Sequence, residues 1–388
     1  MTPPSHKPPH IAIFASFSGA GGVERMLLNL AEGLLGYGCR VDLLVIKSRS
    51  LHLETAPPGL NIVKLRANHT WSSLPELAGY LGRARPDGFL SAKNRANQVA
   101  ILARRLGRSP TRLAVRMGTH TSTAIAGRGK LKKALWYLPI RLLYRQADDI
   151  VAVSEGVKKD LLRMTGLRPA RITVIANPVV SNRIYELAAA PNPHPWFKDL
   201  RIPVILGAGR LTRQKNFPTL VRAFARVRAA RPCRLIILGD GNDRQELMSL
   251  ARQLAVDRWI DLPGFSPNPY AYLRRAALFA LSSLWEGSPN VLTEALALGT
   301  PVVATDCPSG PREILQDGLI GRLVPVGDAR ALAAAMLDTL ADPPDEALLK
   351  SATRDYTVEV SSRRYLEVLV GRSVDRIAAG AEQLTMAG

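Results

Sequence analysis

Residues 204–238, VILGAGRLTRQKNFPTLVRAFARVRAARPCRLIIL, decide the fold class. A short apolar run at 204–207 leads into a glycine-containing loop, a segment of helical length follows, and a second apolar run ends the stretch at 234–238. Near-continuous apolar strands that alternate with helices are typical of a parallel sheet covered on both faces. The stretch therefore predicts one strand–helix–strand unit of a doubly wound α/β domain.

The same alternation continues along most of the 388 residues. Apolar runs predict further strands at 11–15, 41–46, 62–65, 113–116, 150–153, 172–175, 278–281, 301–304 and 321–324. Residues 188–196, AAAPNPHPW, carry three prolines in nine positions, which indicates a linker between two series of strands. We predict an α/β fold with two Rossmann-like, doubly wound parallel-sheet domains that face each other across a cleft.

This linker sets the predicted domain boundaries. We place an N-terminal Rossmann-like domain at 1–187, the linker at 188–200 and a C-terminal Rossmann-like domain at 201–357. The final segment, 358–388, has a helical pattern, and we expect it to pack back on the N-terminal domain.

The charge of the chain is strongly positive. With 52 Lys and Arg against 32 Asp and Glu, the formal net charge is +20, which predicts a polyanionic partner: nucleic acid, an anionic membrane surface or phosphorylated ligands. An arginine-rich composition that only favours solubility is the alternative. A nucleic-acid-binding protein remains a separate hypothesis, but the chain lacks a helix-turn-helix, zinc-finger or RNP-type signature, so we expect no nucleic acid as partner.

Cysteine spacing and apolar content indicate the cellular location and the class of protein. The three cysteines lie far apart, which argues against a disulfide framework or a zinc site and favours a reducing, cytoplasmic location. The hydrophobic content of 47% excludes disorder as the main state. The N-terminus has no signal-peptide pattern, and no stretch reaches the roughly 18–20 apolar residues of a membrane-spanning helix. We therefore expect a soluble or peripherally attached protein.

A glycine-rich loop, SGAGGVER, follows the first predicted strand. Gly21 and Gly22 let backbone amides approach an anion at the N-terminus of the next helix. An ordinary strand-to-helix turn is the alternative. The spacing matches neither GxGxxG nor GxxxxGK[ST], which argues against a dinucleotide site or a P-loop.

A second such loop follows the first strand of the C-terminal half. Gly209 clears space, while Arg210 and Lys215 supply a guanidinium and an ammonium, a combination that suits a diphosphate. Gly239 marks another tight loop at the same edge of the predicted sheet. A solvated basic turn is the alternative.

The strongest constellation lies in the segment WEGSPNVLTE. Glu286 is in the loop after a strand, and Asn290 opens a helix whose second turn carries Glu294. We expect the amides of Asn290, Val291 and Leu292 to lie free at the helix N-terminus and face an anion. The Glu294 carboxylate can accept two hydrogen bonds, as a ribose diol offers. A capping loop with ordinary first-turn acids is the alternative.

Together, GRLTRQKNF, LGDG, EGSPNVLTEALALG with its Glu-x7-Glu spacing, and PVVATDCPSGPREIL resemble the retaining glycosyltransferases of family 4, which have the GT-B fold. The resemblance runs through most of 207–315 and more loosely through SGAGGVERMLLNLA and AVSEGVKKDL. It implies a retaining hexosyltransferase that moves a sugar from a nucleotide-sugar, in the uridine series, to a glycan or polyprenyl-diphosphate-linked acceptor in cell-surface polysaccharide biosynthesis. The N-terminal domain would bind the acceptor and the C-terminal domain the donor.

The resemblance also implies roles for the candidate residues. Arg210 and Lys215 would hold the donor diphosphate, Glu286 the sugar hydroxyls and Glu294 the ribose, while the Gly21–Gly22 loop closes over the reacting centre. The remaining donor-binding residues are Gly209, Gly239, Gly264, Phe265, Asn290, Val291 and Leu292.

A histidine completes the catalytic set of His120, Arg210, Lys215 and Glu286. His120, in RMGTH, matches the position of the family's active-site histidine after an N-terminal strand. A loop histidine without a task is the alternative.

No metal or other cofactor is expected. The chain contains no Asp-x-Asp, the ligand pattern of metal-bridged diphosphates, and this agrees with Arg and Lys stabilisation of the leaving group. Ser288 stands where many relatives carry an aromatic residue, so the shape of the sugar pocket stays open. A nucleotide-sugar epimerase of the same fold is the nearest alternative enzyme.

Residues 130–145, KLKKALWYLPIRLLYR, predict a basic amphipathic surface. On a helical projection Lys130, Lys133, Arg141 and Arg145 share one arc beside a stripe of leucines. Such a surface can bind an anionic bilayer or a lipid-linked pyrophosphate, which implies peripheral attachment to the cytoplasmic membrane face. A core-packed helix with a solvated basic face is the alternative, and Pro139 predicts a kink or two helices.

Overall fold

The computed structural model describes residues 7–17, 21–46, 51–191, 194–199 and 201–372, without the side chains of Leu51, His52, Lys130 and Lys132. The chain divides into two compact units. Unit 1 contains the described residues up to Pro178 and those from Val358 onward, and unit 2 runs from Val179 to Thr357. The chain therefore enters unit 2 ahead of the proline-rich segment 188–200.

Unit 1 is a parallel sheet of seven strands with helices on both faces. Its strands are β1 (His10–Ser16), β2 (Arg40–Ile46), β3 (Asn61–Lys64), β4 (Gly88–Ala92), β5 (Arg112–Met117), β6 (Asp149–Ala152) and β7 (Ile172–Val174). Its helices are α1 (Gly22–Gly36), α2 (Leu74–Ala84), α3 (Asn94–Leu106), α4 (Thr121–Ala124), α5 (Lys130–Leu143), α6 (Glu155–Thr165) and, from the end of the chain, α15 (Val358–Val370).

Unit 2 repeats the architecture with a parallel sheet of six strands. Its strands are β8 (Val204–Ala208), β9 (Arg234–Leu238), β10 (Ile260–Gly264), β11 (Leu278–Leu281), β12 (Val302–Thr305) and β13 (Arg322–Val324). Its helices are α7 (Asn182–Ala188), α8 (Phe217–Ala230), α9 (Arg244–Gln253), α10 (Tyr270–Leu273), α11 (Asn290–Ala297), α12 (Pro311–Ile314), α13 (Ala329–Ala341) and α14 (Glu346–Ser351).

The strand orders are β3-β2-β1-β4-β5-β6-β7 and β10-β9-β8-β11-β12-β13. All named pairs are parallel, as in the register of Ile13 with Leu43 and Leu90. Successive residues of β1 enter different cores, with Ile11 and Ile13 in one cluster and Ala12 and Phe14 in the other. These two covered parallel sheets confirm the predicted fold class of Rossmann-like domains.

Two strands escaped the sequence analysis. β4 reads GFLSA, where Gly88 and Ser91 interrupt the apolar run, yet all five residues are buried because β4 lies in the middle of the sheet. β10 reads IDLPG and forms the edge of its sheet, where Pro263 is tolerated because an edge strand has an unpaired side. Position in the sheet, rather than local composition, makes both segments strands.

The C-terminal helix α15 packs on α1 within unit 1. Tyr365, Leu366 and Leu369 are buried in the same apolar cluster as Leu27 and Leu34 of α1. Residues 373–388 of the predicted C-terminal segment lie outside the described part of the chain. Within the described residues, no helix combines the length and apolar character needed to cross a bilayer.

A buried carboxylate joins four elements of unit 1. Asp42 in β2 accepts hydrogen bonds from the Tyr80 hydroxyl and from Asn61 Nδ2 (3.0 Å), and His10 Nε2 lies 2.9 Å from its Oδ2. Burial raises the pKa of Asp42, but the hydrogen bonds from Tyr80, Asn61 and His10 outweigh it and hold the pKa below its ordinary value. The ionised carboxylate therefore stabilises the folded unit.

We predict that Asp42→Asn lowers the free energy of unfolding by about 2–3 kcal/mol at neutral pH, since hydrogen bonds to a charged group contribute most. A carboxyl whose folded pKa is lowered stabilises above its unfolded pKa of about 3.9, and that stabilisation is lost as pH falls through the folded value. We therefore expect the difference in unfolding free energy between wild type and Asp42→Asn to shrink as the pH falls. Urea unfolding followed by circular dichroism at a series of pH values measures it. Glu54→Gln, at an exposed position, is the control. A decrease in unfolding free energy that is the same at every pH would contradict the lowered pKa of Asp42.

Candidate active site

The centre of the candidate site in unit 2 is a buried ion pair. Lys215 Nζ donates to Glu286 Oε1 at 2.6 Å, and the two side chains are only 16% and 8% exposed. Ser283 Oγ donates to the same oxygen at 2.6 Å. Gln214 Nε2 reaches Glu286 Oε2 at 3.4 Å and the carbonyl oxygen of Trp285 at 3.0 Å. The structure therefore brings two predicted residues together and adds Gln214 and Ser283, which the sequence analysis did not single out.

Close backbone contacts hold this ion pair in place. Gly209 has a φ of +152°, and a Cβ there would lie 2.8 Å from Cε of Lys215. Gly239 has a φ of +127°, and a Cβ there would lie 2.0 Å from the carbonyl oxygen of Gly209. Only glycine allows these positive φ values together with these approaches. The loops after β8 and β9 consequently lie against each other, with the stem of Lys215 on Gly209.

The loop after β10 joins the same sheet edge. Gly239 N donates to the carbonyl oxygen of Gly264 at 2.8 Å, and Phe265 N donates to Asp240 Oδ2 at 3.0 Å. Leu211 N, next to the exposed Arg210, donates to the carbonyl oxygen of Asp240 at 2.9 Å. Three predicted donor-binding residues, Gly239, Gly264 and Phe265, are thus linked, and Asp240 is the side chain that ties their loops.

Helix α11 places the other predicted donor residues. Pro289 occupies its N-cap position in an extended conformation without a side-chain cap. Leu292 N donates to the carbonyl oxygen of Pro289 at 3.0 Å, which corrects the expectation of a free Leu292 amide. The tight first turn closes one bond earlier than an ideal α-helix, so the amides of Asn290 and Val291 precede the first helical hydrogen bond. Glu294 is buried one turn further on.

In unit 1, the Gly21–Gly22 loop leads into α1. Gly21 is the N-cap residue of α1, with a φ of −82° and a ψ of 151°. Among the described residues, no side-chain hydrogen bond caps this end of the helix. A Cβ at Gly21 would meet no atom within 4 Å in the described structure. Neither backbone strain nor crowding therefore requires glycine at this position. Residues 18–20 of this loop lie outside the described part of the chain, and the closure of the Gly21–Gly22 loop over the reacting centre stays a prediction.

His120 is fixed by a cluster of hydroxyls and one carboxylate. Its Nδ1 lies 3.0 Å from Thr123 Oγ1, 3.3 Å from Ser122 Oγ and 3.7 Å from Asp160 Oδ2. Asp160 is buried in α6 and accepts hydrogen bonds from both Ser122 N (3.1 Å) and the Ser122 hydroxyl. Burial lowers the pKa of His120, Asp160 partly opposes this, and Arg163 lowers it again. This lowered pKa favours the neutral imidazole.

The predicted basic surface forms one helix, α5, which continues through Pro139 instead of dividing there. Ile140 is buried, as is Tyr144 just beyond the helix. Four leucines form an outward stripe that we call the leucine face; they are exposed by 76%, 63%, 53% and 55% at Leu131, Leu135, Leu138 and Leu142. The alternative of a core-packed leucine stripe is therefore wrong.

The predicted basic residues border this face unequally. Arg141 and Arg145 are exposed, Lys133 is half-buried, and the Lys130 side chain lies outside the description. Arg128 stacks over Trp136, with its guanidinium carbon 5.4 Å from the ring centroid.

Two family descriptions match the chain: Glycosyltransferase Family 4 over residues 20–183, and Glycosyl transferases group 1 over residues 202–342. The N-acetylgalactosamine-N,N'-diacetylbacillosaminyl-diphospho-undecaprenol 4-alpha-N-acetylgalactosaminyltransferase of Campylobacter jejuni is 31% identical, over 86% of this chain and 90% of that protein. The lipopolysaccharide core biosynthesis glycosyltransferase LpsE of Rhizobium meliloti is 27% identical, over 84% of this chain and 87% of that protein.

Solved structures extend the comparison to the fold. Anabaena HepE, crystallised in complex with UDP, matches with a TM-score of 0.75 and 19% identity, over 94% of this chain and 100% of that one. WaaG, a glycosyltransferase involved in lipopolysaccharide biosynthesis, matches with a TM-score of 0.68 and 13% identity, over 93% and 100%. Both likenesses identify the GT-B fold.

We predict that His120 titrates below its ordinary pKa of about 6.5. Asp160→Asn should lower the midpoint further, because the carboxylate favours the imidazolium, and Arg163→Gln should raise it. Proton NMR titration of the imidazole Cε1–H measures these midpoints, with His120→Gln identifying the resonance. A midpoint above the ordinary value, a raised midpoint in Asp160→Asn or a lowered midpoint in Arg163→Gln would contradict this description of the site.

Proposed function

The chain belongs to the glycosyltransferases of family 4, and on that premise we propose that it transfers a hexose from a nucleotide-sugar to a membrane-associated glycan or lipid-linked acceptor, with retention of anomeric configuration. The observation that carries the proposal is the Lys215–Glu286 ion pair on the glycine-lined edge of unit 2. We place the reaction in cell-surface polysaccharide biosynthesis, at the cytoplasmic face of the membrane.

In this proposal the donor binds at the loops after β8, β9 and β10. Lys215 and Arg210 meet the diphosphate, and the amides of Asn290 and Val291 lie at the positive end of α11. Glu286 binds sugar hydroxyls through Oε2, since Oε1 accepts two short hydrogen bonds, from Lys215 and Ser283, whereas Oε2 has, among the described residues, only the 3.4 Å contact with Gln214. Glu294 binds the ribose and Phe265 borders the base. The complex of HepE with UDP supports a uridine nucleotide as the donor.

The proposed step is a front-face displacement. The bond between the anomeric carbon and the β-phosphate oxygen breaks, and its electron pair leaves with the nucleoside diphosphate. The acceptor hydroxyl oxygen forms the new bond on the same face and passes its proton to the departing phosphate. Negative charge therefore builds beside the ammonium of Lys215, where a buried cation stabilises it more than water does. We assign this work to Lys215 and Arg210 rather than to a metal ion.

The acceptor side of the proposal rests on unit 1. Ser122, Thr123 and Asp160 hold His120, and its lowered pKa favours the neutral ring, which can donate or accept a hydrogen bond at a defined position. The printed name of the Campylobacter jejuni relative includes a diphospho-undecaprenol carrier, which supports a lipid-linked acceptor.

The leucine face supplies the membrane contact. Exposed leucines bordered by Arg141 and Arg145 match a bilayer that is apolar beneath an anionic surface. Because Ile140 and Tyr144 anchor this segment in unit 1, the leucines can enter the lipid without unfolding the domain. We propose that α5 rests on the membrane that carries the acceptor.

We predict that Lys215→Met lowers kcat by about 100-fold, since the lost charge acts mainly as the diphosphate departs, and changes the donor KM much less. Lys350→Met is the matched control, because Lys350 also makes a 2.6 Å ion pair, with Glu346, but on the surface. Transfer of radiolabelled sugar to a polyprenyl-diphosphate glycan, measured with EDTA present, provides the rates.

Three outcomes of that assay would contradict the proposal. Unchanged kcat in Lys215→Met would remove Lys215 from the mechanism, and strict dependence on Mg²⁺ or Mn²⁺ would overturn the metal-free scheme. Formation of an epimer from the donor alone would replace the transferase by an epimerase.

We predict that the protein floats with vesicles of phosphatidylcholine and phosphatidylglycerol in equal parts at low salt. Leu135→Ser combined with Leu142→Ser should weaken binding at least about tenfold, because each buried leucine contributes about 1.5–3 kcal/mol. Leu319→Ser, at an exposed leucine of unit 2, is the control. Failure of the wild type to bind the vesicles, or equal binding by the double variant, would contradict the proposed membrane contact of α5.

A further inference from the structure

The sheet of unit 1 has a point where its strand order reverses. The chain builds outward from β1 through β2 to β3, then resumes at β4 on the other side of β1. In open parallel sheets, the crevice outside the carboxyl ends of the strands at such a reversal is the usual ligand-binding place. Here that place lies between the ends of β1, at Ser16, and β4, at Ala92.

Lys93 follows β4 directly and has an unusual backbone. Its φ is +80° and its ψ 135°, a conformation that residues with side chains rarely adopt. Such outliers persist where surrounding contacts over-determine them, and they cluster at functional sites. The sequence analysis did not predict Lys93 as a site residue.

The ammonium of Lys93 makes two contacts that fix it there. Its Nζ donates to the carbonyl oxygen of Ser16 at 2.6 Å and to Glu24 Oε1 at 3.3 Å. Glu24 is 3% exposed and lies in the first turn of α1, while the side chain of Lys93 is 36% exposed. A nearby cation stabilises a buried carboxylate, and Lys93 supplies one.

These contacts bracket the glycine-rich loop. Ser16 precedes the loop and Glu24 follows it, so one side chain ties the end of β1 to the start of α1. The tie sets the position of the Gly21 N-cap, beside which the described structure leaves open space. The residue that makes this tie is also the one with the left-handed backbone, a combination that is common at functional sites.

We propose that Lys93, with Glu24, is a positioning residue of the transfer reaction: it holds the first turn of α1 at the strand-order reversal, where the reacting substrates bind. The inference rests on the proposed function. It assigns Lys93 no covalent step and no contact with the departing diphosphate.

The experiment compares Lys93→Met, Lys93→Arg and Glu24→Gln with wild type in the sugar-transfer assay. Lys64→Met is the matched control, because Lys64 is an exposed lysine at the end of β3 in the same sheet. We expect Lys93→Met to lower kcat roughly 10- to 100-fold, since small misplacements near a reacting centre have effects of this size. Nucleotide-sugar affinity should stay unchanged, and Lys93→Arg should restore most of the rate.

A second measurement is independent of activity. Hydrogen–deuterium exchange in the first two turns of α1 should accelerate in Lys93→Met and Glu24→Gln but not in Lys64→Met. Exchange equal to wild type, or a lowered melting temperature with kcat unchanged, would overturn the inference. Absence of sugar transfer by the wild type would instead overturn the proposed function, while the exchange data would still decide whether Lys93 holds α1.

Discussion

The ion pair between Lys215 and Glu286 depends on approaches that only glycine permits. The lysine stem lies on Gly209, and the carbonyl oxygen of Gly209 lies where a Cβ of Gly239 would be. The loops after β8 and β9 can therefore stack, which brings the ammonium to the carboxylate that follows β11. Removing one partner of such a buried pair typically costs about 3–5 kcal/mol, because the remaining charge stays buried. The same contact thus organises the sheet edge and holds a cation where a diphosphate is proposed to leave.

Unit 1 arranges its corresponding edge with side chains rather than with glycine contacts. Lys93 ties the end of β1 to the start of α1, and Asp160 holds the short turn that carries His120. Both carboxylates, Glu24 and Asp160, are buried. Because water screens buried charges only weakly, each carboxylate interacts strongly with the groups that contact it. The polar positions are accordingly well defined, in contrast to the leucine face, whose exposure suits an apolar partner.

Several site residues were predictable because parallel strands end at one edge of a sheet. Lys215 and Glu286 follow different strands in sequence, yet they meet, as the motifs indicate. The free amide expected at Leu292 was wrong, because the first turn of α11 closes on the carbonyl of Pro289. Asp160 had no signal of its own, since an acid in an amphipathic helix looks the same whether it is solvated or buried against a histidine.

The sequence by itself determined the α/β class, the glycine loops and the family, because strand–helix alternation and short motifs are local patterns. Only the tertiary structure decided that β4 is a central strand, that Lys93 reaches Ser16 and Glu24, and that the leucines of α5 face outward. These features depend on residues far apart in the chain. Burial and charge pairing arise when separate segments pack together, and a linear pattern does not encode which segments those are.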